Sequence, residues 1–207
     1  MPAGVTVSDT LERVYRVFAM PVPAVIDGCP CCIATRGVDV LLTNPLRSLT
    51  GQQLWRYVSG AFLTIGGEQD FRYFLPRILD ISVNDPGNAS HAEVVLGKLA
   101  LANWQGWSRD EREAVEAFVG AWFDHALAVD LATISDGCIL SEMEGILCGA
   151  ARAGLSLGPL LARLTAPEAA PVLAELRALY PRELSPFWED VPGGVEVLAA
   201  FLSDGRG

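Results

Sequence analysis

Across 207 residues the chain is 51% hydrophobic and only 19% charged, with a net charge of −10. That much apolar content excludes an intrinsically disordered acidic chain, and the length suits one sizeable domain or two small ones. The longest stretch without Asp, Glu, Lys or Arg, Tyr57–Gly67, is eleven residues, about half of what a membrane-spanning helix needs.

Helical signals run through the chain in order. Leu11, Val14, Tyr15 and Phe18 form a first apolar stripe, with the spacing of one helix face. Val38–Leu42 reads as a short strand without an evident partner. Thr50 and Gln53 have the spacing of a capping box, in which each side chain satisfies an orphan N–H of the other. They precede a stripe of Leu54, Val58, Ala61, Phe62 and Ile65, closed by Gly66-Gly67. The next stripe is Phe71, Phe74, Leu75, Ile78 and Leu79, with Pro76 either kinking that helix or sitting in its first turn. The Asn84–Ser90 loop is the best place for a subdomain break, although a single domain over 1–207 is the preferred expectation.

Further boxes stand at Ser90/Glu93, Ser108/Glu111 and Thr165/Glu168. Val115, Phe118, Val119, Trp122, Ala126 and Leu127 follow the second of these on one face. Ser135–Gly154 has an apolar stripe (Ile139, Met143, Ile146, Leu147, Ala150) and small residues on its other faces, the mark of an inner helix covered on two sides. Val172, Leu173, Leu176 and Tyr180, then Val195, Leu198 and Leu202, complete the pattern, with Gly193-Gly194 read as a helix stop. The expected fold is all-α: about eight or nine helices in a layered antiparallel stack, helical-repeat-like or an irregular bundle.

The segment Asn44–Asp80 contains PLRSL (Pro45–Leu49), Leu54, Tyr57, Ala61, Thr64, Gly66 and DFRYFLPRIL (Asp70–Leu79), downstream of Cys29 and Cys32. It resembles a group of uncharacterised bacterial all-α proteins that tend to carry an upstream C-x-x-C pair. That pattern often has an aromatic residue before the glycine and a His before FLPR; Ile65 and Tyr73 stand there in this chain. The resemblance implies an ordered unit and attaches no activity to it.

Chemistry-bearing residues are few. Cys29 and Cys32 in DGCPCCIATR have the spacing with which two thiolates bind one zinc ion, but no second such pair supplies the other ligands. Cys138 and Cys148 are ten residues apart, about 80° around a helix, and the only histidines are His91 and His125. A thiol-redox pair is another reading of the cluster, and the preferred one is a Pro-stiffened turn lined with small apolar thiols. Arg47, Asp70, Arg72 and Arg77 could line an anion pocket, or Asp70 could cap a helix while the arginines make ion pairs. His125 is placed near a helix end by its stripe, where the dipole favours its charge. Trp104 and Trp188, with Trp107 and Trp122, either anchor a partner or, as such residues more often do, fill gaps between helices, and Ser185–Pro192 is the best place for an exposed aromatic patch.

No nucleophile motif, phosphate loop or dinucleotide fingerprint occurs. The acidic balance and sparse basic residues argue against nucleic acid. An odd cysteine count, without a basic start and apolar run at the N-terminus, points to reduced thiols in a cytoplasm. The functional expectation is a non-enzymatic acidic helical module, adaptor- or immunity-like, that binds a more basic protein without a cofactor. The alternative is a metal-binding (zinc) or thiol-redox protein using Cys29 and Cys32.

Overall fold

Local capping chemistry opens the first helix. In a computed structural model, which describes residues 5–31, 38–85, 91–134 and 142–204, Thr6 and Asp9 exchange side-chain and backbone hydrogen bonds at the start of α1 (Val7–Val17). This box uses Asp in place of Glu or Gln. Helix α1 then buries Leu11, Val14 and Tyr15. Val38–Leu42 forms no strand: it belongs to α2 (Val38–Thr43), whose buried residues Val38 and Leu41 are three apart. The β-branched residues there favour a strand locally, but burial at helical spacing decides the outcome.

Helices α3 (Gly51–Gly60) and α6 (Arg109–Thr133) begin at the Thr50/Gln53 and Ser108/Glu111 boxes, both fully formed. Ser90 lies outside the described residues, and α5 (Ala92–Leu101) has His91 at its N-cap. Helix α4 (Glu68–Asn84) carries Pro76 in its interior, not in its first turn. Thr165 does not cap: its hydroxyl donates back to the Ala162 carbonyl at 2.7 Å, and the 3-10 turn Pro167–Ala169 starts after Ala166. The remaining helices are α7 (Glu142–Arg152), α8 (Gly158–Leu161), α9 (Ala170–Leu179) and α10 (Pro192–Asp204). Gly193 and Gly194 sit in the first turn of α10, so they open a helix and stop none. His125 is exposed and lies more than two turns before the end of α6, too far to feel that helix terminus.

The fold is all-α. Among the described residues there are ten α-helices and no strand, only isolated bridges from Ile65 to Gly28 and to Ala61. No helix among them is long and apolar enough to cross a membrane.

Helix α7 is the inner helix its composition implies: every residue from Met143 to Ala150 is buried. It packs between α5 and α6, and α1 lies along α6. Close approach to α5 requires Gly149, where a Cβ would stand 2.6 Å from the Ala92 carbonyl oxygen. Helix α4 touches both α1 and α5, the two ends of this row, and so closes it on itself. Buried side chains from Leu11 to Leu202 form one cluster. The Asn84–Asp85 end of α4 borders the segment 86–90, which falls outside the described residues.

Candidate functional site

Cys29, Tyr57, Thr64, Gly66 and Asp70, all singled out in the sequence, converge on one turn. Helix α3 ends at Gly60, whose carbonyl accepts the N–H groups of Leu63 (3.0 Å) and Thr64 (2.9 Å). Phe62 adopts φ 63°, a left-handed conformation uncommon for an aromatic residue. Its ring packs edge-on against Phe71 at 5.0 Å, which offsets that local cost. Gly66 follows at φ 70°, where a Cβ would come within 2.3 Å of Asp70 Oδ2. Only glycine fits both that conformation and that space.

Three buried side chains, Tyr57, Asp70 and Lys98, hold this turn from beneath. The Asp70 carboxylate accepts the Gly67 N–H at 2.9 Å, capping α4, and the Tyr57 hydroxyl at 2.6 Å. Burial, and then the negative charge of Asp70, push the Tyr57 phenol far above its usual pKa, so it stays a donor. From α5, the Lys98 ammonium donates to the Ala61 carbonyl at 3.0 Å and to that of Ser59 at 3.4 Å. A cation at the end of α3 meets the negative end of the helix dipole. Burial, reinforced by the charge of Arg152, lowers the Lys98 pKa.

The cysteine loop lies on top. Cys29 donates its N–H to the Thr64 carbonyl at 3.0 Å, and Gly66 donates to the Asp27 carbonyl at 2.6 Å. Ile26 and Ile65, 1% and 2% exposed, anchor the two segments of this crossing in the core. Above the anchor the Cys29 and Cys31 side chains are exposed, and their sulfurs lie 2.9 Å apart across Pro30. The described thiol pair is thus Cys29 with Cys31, whereas sequence spacing favoured Cys29 with Cys32. Cys32 itself lies outside the described residues, as does Cys138. Cys29, Asp27, Leu63 and Thr64 line a shallow cleft of about 370 Å³ beside this loop. Across the Asp27–Gly66 bond a second cleft is lined by Val25, Glu68, Gln69 and Asp70. Leu63 and Val25 are 68% and 61% exposed.

The other candidate residues lie elsewhere. Arg47 grips Glu12 through two 2.7 Å hydrogen bonds and stacks 3.7 Å over the Tyr15 ring. Arg77 donates to the Leu49 carbonyl and to Asp80, each at 2.6 Å, and Asp80 also accepts the Tyr15 hydroxyl at 2.9 Å. The PLRSL and FLPR motifs therefore meet in one network that ties the Leu46–Ser48 turn to α1 and α4, with a carboxylate opposite each arginine. Asp70 belongs to the Tyr57 site. Arg72 pairs with Glu68 and with buried Glu111, whose pKa falls because hydrogen bonds from Ser108 and Arg72 outweigh its burial.

Trp104 and Trp188 are 2% and 4% exposed. Trp104 donates to the Ala153 carbonyl at 2.7 Å, and Trp188 donates to Glu144 at 2.5 Å. In Ser185–Pro192 the aromatic residue facing outward is Phe187, beneath the Arg152 guanidinium at 4.5 Å. Burial raises the pKa of Glu144 despite the Trp188 and Ser185 N–H groups that it accepts. Burial and the nearby Glu144 and Glu93 carboxylates push the Cys148 thiol up to about 12, which leaves it inert beside the exposed pair.

Cys31, Lys98 and Thr64 are the site residues that spacing rules pass over. Lys98 carried a signal as the sole charge in Val94–Trp104, whereas Thr64 contributes only a backbone carbonyl. Among the described residues no three of His, Cys, Asp and Glu converge as a metal site, so the zinc reading of Cys29 and Cys32 rests on spacing alone. No family model matches the chain, and no curated protein or solved structure is found to be similar to it.

Proposed function

We propose that the chain exchanges thiols for disulfides with a partner, using Cys29 and Cys31 as its reacting pair. One observation carries this reading: two exposed sulfurs 2.9 Å apart on a loop bonded to a buried-anchored turn. Proximity makes the second step intramolecular. Cys29, which lines the cleft, attacks one sulfur of the incoming disulfide as a thiolate; the other sulfur leaves with the bonding electrons and takes a proton from water. The Cys31 thiolate then attacks Cys29, and the second substrate sulfur departs as a thiol. Two electrons pass to the substrate, and a Cys29–Cys31 disulfide remains. A reducing cytoplasm would return the pair to thiols.

The protein-interaction reading, an acidic module for a more basic partner, draws support from the exposed Leu63 and Val25 and the net charge of −10. The two readings are compatible if the disulfide belongs to a protein. The test is mass-spectrometric mapping after equilibration of the full chain in glutathione buffers of graded poise. A Cys29–Cys31 disulfide that persists in Cys32→Ser is the expected result. A Cys29–Cys32 disulfide, or none involving Cys29 at any poise, would overturn the assignment.

A further inference from the structure

Resting on that reading, we infer that the disulfide taken at Cys29 lies in a protein segment with apolar and basic flanks, not in an anionic small molecule. Among the described residues, Asp27 supplies the one charged side chain lining the Cys29 cleft. The adjoining cleft adds Glu68, whose charge is shared with Arg72 at 3.5 Å, and Asp70. With a net charge of −10 behind them, these carboxylates repel glutathione disulfide and attract cations. Leu63 rises beside the cleft 68% exposed, and Val25 stands 61% exposed on the far side of the Asp27–Gly66 bond. Leu63 thus lines the Cys29 cleft itself and Val25 the adjoining one, which offers apolar surface to a peptide flanking the disulfide. Phe62 and Gly66, both left-handed, fix the turn beneath, so the clefts are formed before a substrate arrives.

The experiment compares oxidation rates of the prereduced full chain by three disulfides: oxidised glutathione, cystamine, and the symmetric disulfide of a blocked Lys-Leu-Cys-Leu peptide. Each rate is divided by that of dithiothreitol with the same compound, which removes differences in leaving-group reactivity. The peptide should exceed glutathione by about tenfold or more, with cystamine between them. Leu63→Glu should cut the peptide-to-glutathione ratio about tenfold, and Asp27→Asn should narrow the cystamine-to-glutathione ratio a few-fold. Both side chains are exposed, and unchanged melting curves confirm the fold of each variant. Equal normalised rates, or ratios indifferent to both variants, overturn the inference while leaving the exchange reading intact. Failure of all three compounds to oxidise Cys29 overturns both.

Discussion

The Tyr57 hydroxyl donates a 2.6 Å hydrogen bond to Asp70 Oδ2, and Asp70 Oδ1 accepts the Gly67 N–H at 2.9 Å, so one carboxylate joins α3 to the start of α4. Tyr57→Phe removes one buried donor and should cost about 1–3 kcal/mol. Asp70→Ala strips the cap as well and leaves the phenol unsatisfied, for a loss of about 2–4 kcal/mol. Urea unfolding of the two variants should rank them in that order.

Gly66→Ala should be at least as damaging as Asp70→Ala. The added methyl meets Asp70 Oδ2 at 2.3 Å in a backbone conformation that disfavours alanine. A loss of about 2–4 kcal/mol is expected, together with slower Cys29–Cys31 disulfide formation, because Gly66 donates to the Asp27 carbonyl. Wild-type stability in this variant would refute the packing argument.

The two arginines of the motif network should differ. Both members of the Arg47–Glu12 pair are 56% exposed, so Arg47→Ala should cost no more than about 1 kcal/mol. Arg77 is mostly buried, and Arg77→Ala removes the donor to the Leu49 carbonyl and the cation beside Asp80, which keeps the Tyr15 hydroxyl, a loss of about 1–3 kcal/mol. Denaturant midpoints that reverse this order would exclude the staple role.

Glu144 sets a pH dependence of its own. Its folded pKa is raised above the ordinary 4.5, chiefly by burial. The proton is therefore bound more tightly in the folded chain. This stabilising share is complete below the unfolded value and is lost as pH rises through the folded one. Glu144→Gln keeps an acceptor for Trp188 and Ser185 without the buried charge. It should be more stable than wild type at pH 8, and the advantage should shrink towards pH 4. A wild-type-minus-variant difference that is flat with pH would contradict this.

Legibility followed the range of the interaction. The Thr50/Gln53 and Ser108/Glu111 boxes are closed within four residues, so the sequence alone displays them. Thr165/Glu168 has the same spacing, but Pro167 and the packing around it start a 3-10 turn instead. Val38–Leu42 misleads because residue propensity is weaker than burial of one helical face. At the site, the cysteines and glycines announced themselves, whereas their arrangement depends on crossings between distant segments. The Cys29 N–H reaches Thr64, and Lys98 reaches back to Ala61. Tryptophan count could not tell a surface patch from Trp104 and Trp188, each sealed by a single carbonyl or carboxylate partner.

The lie of α1 along α6 has a consequence for synthesis. On the ribosome Leu11, Val14 and Tyr15 emerge ahead of α4, which covers part of this face, and well ahead of α6, which is translated only after α5. Until then the amphipathic first helix is covered only in part, by α4, and the row α1–α6–α7–α5 cannot close. The nascent chain should therefore stay protease-sensitive and chaperone-dependent through much of elongation, and acquire resistance late, once α6 and α7 are both available.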